Sequence, residues 1–220
     1  MDKEIWNDAA EKYRAYFEDS KKRVSIVNIF PRILQIIGNI RGKKMLDYGC
    51  GQGRFSRILY DMGAEITAYD SAEKELEIAK NLNDNRDIFY SSHINEIPKE
   101  QFDIVLCFMV LLCNDKERVN KVLREIYYFI RSGGCCIFVN TNTETIGKKF
   151  KDFYSEVRGK YFSEGDMYIT IIPTSKGNMV VYDHYYSKEF LSGIFEKHGF
   201  KMLVEEVIAK QFVLHVVSKS

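Results

Sequence analysis

The chain has 220 residues, enough to bury one core of ordinary size and too few for two. Its 32 Lys and Arg stand against 31 Asp and Glu, a formal charge of +1, so there is no overall basic field of the kind that draws a protein onto nucleic acid. The longest apolar run, residues 104–113, is too short to span a bilayer, and Met1-Asp2-Lys3-Glu4 lacks the basic start of a secretory signal, so a cytoplasmic protein with no membrane partner is expected.

Apolar residues recur at helical spacing over residues 5–17 and 26–37, with Pro31 near a helix start or break, and these segments read as a helical cover over residues 1–42. From Lys43 the alternation is regular. Strands are expected at 45–48, 66–69, 88–90, 102–107 and 136–139, with helices at 54–62, 72–82 and 116–130. Alternating βα units imply a parallel sheet covered on both faces. Gly63 suits a helix stop, Ser71 an N-cap, and Asn114 with Glu117 an arrangement like a capping box. Five cysteines, at 50, 107, 113, 135 and 136, lack the paired spacing of a zinc site, and no metal is expected. Cys135 and Cys136, adjacent in a strand, point to opposite faces. Lys148-Lys149-Phe150-Lys151 reads as a solvated helix face or a local basic patch. Residues 166–174 and 178–186 are rich in β-branched and aromatic side chains and are joined by Ser175-Lys176-Gly177, which makes a hairpin. A helix at 188–197 ending at Gly199, then strands at 201–207 and 211–217, close the chain.

The most informative stretch is Lys44-Met45-Leu46-Asp47-Tyr48-Gly49-Cys50-Gly51-Gln52-Gly53-Arg54, an apolar strand running into a glycine-rich turn, followed by Asp70 at the end of the next apolar run. Glycines at 49, 51 and 53 leave no Cβ where the loop turns sharply and lets a ligand approach the backbone. A carboxylate at the position of Asp70 in a βαβ unit can accept hydrogen bonds from two ribose hydroxyls. The dinucleotide fingerprint would require a third small residue where Arg54 stands, which disfavours a nicotinamide dehydrogenase.

The Gly-x-Gly-x-Gly spacing, with Asp47 two residues upstream, resembles motif I of the class I S-adenosylmethionine (SAM) dependent methyltransferases. The resemblance extends to Phe102-Asp103-Ile104-Val105-Leu106-Cys107 as the fourth strand, to 123–134 as the following helix and glycine turn, and to 186–200 as the last helix and its exit. It implies a Rossmann-like, doubly wound α/β fold with a seven-stranded, mostly parallel sheet, an antiparallel last strand, an N-terminal helical cover and an inserted β-hairpin lid. One domain over residues 1–220 would then divide into the cover (1–42), a SAM-binding core (43–140), an acceptor-side insertion (141–187) and a closing helix and strands (188–220).

In such a sheet the ligand lies outside the carboxyl ends of the strands. By that rule Asp47, Gly49, Cys50, Gly51 and Gly53 line the methionine side of SAM, and Asp70 and Ser71 meet the ribose. Ser92, His93 and Ile94 approach the adenine, and Cys107, Phe108 and Met109 the sulfonium. Asp47 could equally serve the loop itself. The family commonly has an acidic residue where His93 stands, which leaves the adenine contact open to Ser92 or the backbone of Ile94. Trp6, Ala10 and Tyr13 echo a pattern in which the tyrosine closes over the methionine part of SAM; equally, Trp6, Tyr13 and Tyr16 make the apolar face of a packed helix.

Methyl transfer needs alignment above all, with a base to carry off a proton. The block Tyr182-Asp183-His184-Tyr185-Tyr186 offers candidates: alternation sends Tyr182, His184 and Tyr186 to one side and Asp183 and Tyr185 to the other, with His184 first and Tyr185 second as base or orienting group. The alternative is a half-buried edge hairpin. Phe138-Val139-Asn140-Thr141-Asn142, Glu164-Gly165-Asp166 and the 183–186 block resemble small-molecule methyltransferases of the toxoflavin-synthase type, implying a metabolite acceptor, with nitrogen preferred, and S-adenosylhomocysteine (SAH) as by-product. RNA or protein methylation, and a non-catalytic SAM-binding regulatory role, are the rival readings.

Overall fold

The computed structural model describes residues 3–18, 25–150, 152–156 and 161–219. Helix α1 (Lys3–Glu18) is followed by a π-helical turn, Ser25–Ile29, that runs into α2 (Phe30–Ile37), with Pro31 in the first turn, where its missing N–H costs nothing. Then come β1 (Lys44–Tyr48), α3 (Arg54–Asp61), β2 (Glu65–Tyr69), α4 (Glu73–Asn81), β3 (Phe89–Ser91), β4 (Phe102–Phe108), α5 (Lys116–Phe129) and β5 (Ile130–Thr141). The remainder is β6 (Tyr154–Glu156), β7 (Met167–Ile172), β8 (Met179–His184), α6 (Lys188–Lys197), β9 (Phe200–Ile208) and β10 (Phe212–Lys219).

The main sheet has seven strands in the order β3-β2-β1-β4-β5-β10-β9. Strands β1 to β5 pair in parallel, and β10 inserts antiparallel to both β5 and β9. Continuous apolar runs make this sheet, because a parallel sheet is buried on both sides. One face packs Leu46, Val105 and Phe138 against Val122, Leu123 and Ile126 of α5 and Leu191 and Phe195 of α6. The other packs Met45, Ile104 and Ile137 against Ile33 of α2, Phe55 and Leu59 of α3 and Leu76 and Ala79 of α4. Cys136 falls on the first face and Cys135 on the second, as alternation requires.

Several local expectations are corrected. The cap of α5 is Asp115, whose carboxylate accepts from the Arg118 N–H at 2.8 Å; Asn114 is buried and donates instead to the Val110 carbonyl at 2.6 Å. Ala72, not Ser71, caps α4, and Asp70 Oδ1 accepts its N–H at 2.9 Å. The glycine turn after α5 is absorbed into β5: Ile130 already pairs with Phe102, and the register then shifts so that Cys135 meets Ile104. Residues 148–150 are not helical; Lys149 bridges to Tyr154, and Lys151 lies outside the described residues.

The expected hairpin is β7–β8, with Met167 opposite His184 and Ile172 opposite Met179. A third strand, β6, adds to β7 and makes a separate three-stranded antiparallel sheet. Three residues with no alternation of their own gave no sign of it. This small sheet docks on the loop after β4, where the His184 N–H donates to the Leu112 carbonyl at 2.6 Å. Among the described residues no helix is long and apolar enough to cross a membrane.

Candidate active site

Strand order reverses between β1 and β4, and the loops leaving those two strands meet at that point, where an open α/β sheet holds its ligand. The loop after β1 turns through three left-handed glycines, Gly49, Gly51 and Gly53, with φ of 77°, 50° and 68°. A Cβ on Gly49 would lie 2.3 Å from Val110 Cγ2, so the two loops approach closer than any side chain allows. The loop after β4 carries its own strained residue: Met109 sits at φ 60°, its N–H held by the Val139 carbonyl at 2.8 Å. Non-glycine residues in that region cluster where function demands a fixed shape.

Asp70 ties the corner together. Oδ2 accepts the Gly51 N–H at 2.8 Å while Oδ1 holds Ala72. Asp47, also buried, accepts from the Ser56 hydroxyl at 2.5 Å, and burial raises its pKa to about 6. A third carboxyl, Glu75, is 1% exposed and has, among the described residues, no hydrogen-bond partner on either oxygen. Burial, with Asp70 repelling it, raises Glu75 to about 8. The sequence did carry a sign of this residue, because Ala72, Glu75, Leu76 and Ala79 stand at the i, i+3, i+4, i+7 spacing of a buried stripe.

Helix α1 roofs the loop. Gln52 Nε2 donates to the Ala10 carbonyl at 2.9 Å, and the Tyr13 ring lies 3.3 Å from where a Gly51 Cβ would stand. Trp6 meets Tyr13 edge-on at 5.5 Å, and Tyr16 stacks on Tyr13 at 6.0 Å. Beneath these rings is a chamber of about 80 Å³ walled by Phe55, Phe108, Met109, Cys113, Phe153, Phe212, Thr141, Thr170, Ile172, Val181 and Asp183. Asp183 is 4% exposed and is held by the Thr170 hydroxyl at 2.7 Å and the Cys113 thiol at 3.4 Å. Burial raises its pKa above the ordinary carboxylate range.

The expected residues divide accordingly. Tyr13, Phe108 and Met109 line the chamber, and Asp47, Gly49, Cys50, Gly51, Gly53 and Asp70 form the loop and its brace. Ser71 borders a small cleft with Gly49, Tyr69, Asp70, Val110 and Arg118. Ser92, His93 and Ile94 follow β3, whose Ser91 carbonyl accepts the Asp70 N–H at 3.2 Å; Ser91, not Ser92, is the buried serine, and His93 is exposed. Cys107 packs into the core on the α5 side, with its side chain away from the chamber. His184 faces an outer, open groove with Ile5, Asp115 and Arg118, its Nδ1 3.3 Å from the Leu112 carbonyl, and Tyr185 stacks on Phe162 at 5.4 Å. Alternation separated the two sides of β8 as expected, and the side that turns inward is the one with Asp183.

A glycine cradle that no Cβ could enter, a buried acid at the end of β2 and an orphaned buried carboxylate beside them fit a ligand rich in hydrogen-bond donors. The family model described as "Methyltransferase domain" matches residues 40–199, and the chain belongs to that family. Over 119 residues the chain is 33% identical to the ubiquinone biosynthesis O-methyltransferase of Bordetella avium (strain 197N), covering 50% of this chain but only 47% of that protein, about half its length. It is 22% identical over 172 residues to the N-demethylindolmycin N-methyltransferase of Streptomyces griseus, covering 74% of this chain and 71% of the relative. Its fold matches that of the 1,6-didemethyltoxoflavin-N1-methyltransferase of Burkholderia thailandensis, solved with 1,6-didemethyltoxoflavin and SAH, with a TM-score of 0.65 at 13% identity over 99% of this chain and 87% of that one.

Proposed function

We propose that this chain methylates a nitrogen of a small, flat metabolite, using SAM, by in-line displacement. The observation that carries this reading is Asp183, a buried carboxyl fixed by two neighbours in a chamber walled mainly by rings and apolar side chains, with Thr141 and Thr170 beside it. Such a pocket recognises an aromatic ligand by its faces and orients it by a single polar group. When bound, SAM supplies a methyl group on positively charged sulfur, and ring faces suit that charge. Asp47, the glycine loop and Asp70 hold the cofactor, Tyr13 covers it, and α1 excludes water.

The residues then have one proton to manage. An amine must be neutral to attack, and after methylation it gives up one proton, which Asp183 is set to receive at Oδ1 or Oδ2. A carboxylate whose basicity is raised by burial takes a proton more readily than an exposed one. Residues 141–187 thus belong to the acceptor side, and residues 43–140 to the cofactor side. An oxygen acceptor is the second reading, favoured by the likeness to the Bordetella O-methyltransferase.

The test is a panel of heteroaromatic amines and matched phenols incubated with SAM, with SAH release followed and each product's methylated atom assigned by mass spectrometry and NMR. Methylated amines with untouched phenols support the reading. Preference for phenols would move it to oxygen, and turnover on tRNA or protein alone would end it.

A further inference from the structure

We propose that Glu75 is a second cofactor-binding carboxylate, which accepts hydrogen bonds from the cofactor's ribose hydroxyls beside Asp70. A buried carboxylate without a partner costs several kcal/mol, and proteins keep such groups where a ligand completes them. Glu75 is such a group: both oxygens are sealed from solvent, and neither has a hydrogen bond among the described residues. Gln52 approaches it and lowers its pKa, but the geometric hydrogen bond of the carboxamide nitrogen is the one to the Ala10 carbonyl, at 2.9 Å.

The direction in which Glu75 points is fixed by the loop. A Cβ on Gly51 would stand 3.7 Å from Glu75 Oε2 and 3.3 Å from the Tyr13 ring, so the carboxylate faces the middle glycine of the cradle. Asp70 braces that same glycine, and each of its oxygens already holds a backbone N–H, Gly51 on one and Ala72 on the other. A vicinal diol brings two donors to this corner. Asp70 has lone pairs left for part of that demand, and Glu75, with all of its acceptor sites unused, supplies the rest. Tyr13 and Cys50 face the pair from α1 and the loop, and burial raises the pKa of both well above its ordinary value, so neither adds a charge. The Arg57 guanidinium is held by the Gln52 carbonyl at 2.7 Å.

The experiment is calorimetric titration of SAH and of its 2′-deoxy and 3′-deoxy ribose analogues into the unaltered protein, Glu75→Ala and Glu75→Leu. Loss of a hydroxyl that bonds to this pair of carboxyls should weaken binding to the unaltered protein about tenfold. In both variants SAH should bind about tenfold more weakly, and the penalty for at least one analogue should collapse towards unity. Glu75→Leu should melt higher than the unaltered protein when unliganded, which shows that its fold is intact. Full SAH affinity in the variants, or deoxy penalties that persist unchanged, would overturn the assignment. So would weakened SAH binding alongside unaltered binding of methylthioadenosine, which would give the carboxylate to the amino-acid end. Failure of the unaltered chain to bind SAH at all would overturn the cofactor itself, a separate result.

Discussion

The Cys113 thiol donates to Asp183 Oδ1 at 3.4 Å, joining the loop after β4 to the last strand of the small sheet. With the Thr170 hydroxyl on Oδ2 at 2.7 Å, the carboxyl is fixed on both sides. Asp183→Asn preserves shape but removes the charge, so kcat with the true acceptor should fall on the order of 100-fold while SAH affinity stays within about twofold. His184→Ala, which alters the outer groove, should leave kcat within about threefold. Steady-state rates and calorimetry on both variants check this, and a larger loss at His184 would return the base to the other side of β8.

Asp70 holds two backbone amides where the glycine loop meets α4, those of Gly51 and Ala72. Removing it leaves two donors without acceptors, beyond any loss of ribose contact. Asp70→Ala should weaken SAH binding by at least tenfold, since hydrogen bonds to charged groups are worth about 1.5–3 kcal/mol each. An unchanged titration curve would contradict the role of this corner.

Gly49→Ala should destabilise the protein by about 2 kcal/mol or more, because the new methyl meets Val110 Cγ2 at 2.3 Å and the backbone is at φ 77°. Val110→Ala in the same chain should recover part of that loss and leave the φ penalty. Urea denaturation of the two single variants and the double variant measures the coupling, and strict additivity would show that the two loops are not in contact.

Two buried groups make opposite contributions to the pH dependence of stability. Glu75 is held at about 8 when folded, against an ordinary value of 4.5, so the folded state binds the extra proton between those values and stability falls as pH rises from about 4.5 to 8. His215, fully buried beside Phe195 and Glu205, is lowered to about 4 from 6.5, so its contribution is present above pH 6.5 and is lost as pH falls towards 4. The melting temperature without ligand should therefore decline from pH 6.5 to 8, by a few degrees, and Glu75→Gln should flatten that decline. A profile that rises over that interval would show that Glu75 is ionised without cost.

The βα alternation and the glycine loop were legible because each rests on local spacing: apolar runs at 45–48 and 102–107, and three glycines where the chain turns left-handed. The place of β10 between β5 and β9 came only through family resemblance, since nothing in residues 211–217 names a neighbour. Which side of β8 turned inward was not legible either, because it depends on the His184 N–H docking on Leu112, seventy-two residues away. Glu75 was overlooked for another reason. An acid in the first turn of a helix is already accounted for by the helix dipole, and only its position on the Ala72–Leu76–Ala79 stripe distinguishes it from Glu73.

The fastenings of α1 are of a different kind from the walls beneath it. Lys176 pairs with Glu11 at 2.9 Å, Lys3 with Glu73 at 3.6 Å, and Lys12 reaches the Asn178 carbonyl at 3.1 Å, all out in solvent. Exposed pairs of this sort are worth little and are weakened by salt. Screening those outer charges therefore loosens only the rim of the helix, because the buried Gln52–Ala10 bond and the packed faces of Ala10 and Ala15 keep it seated at any ionic strength.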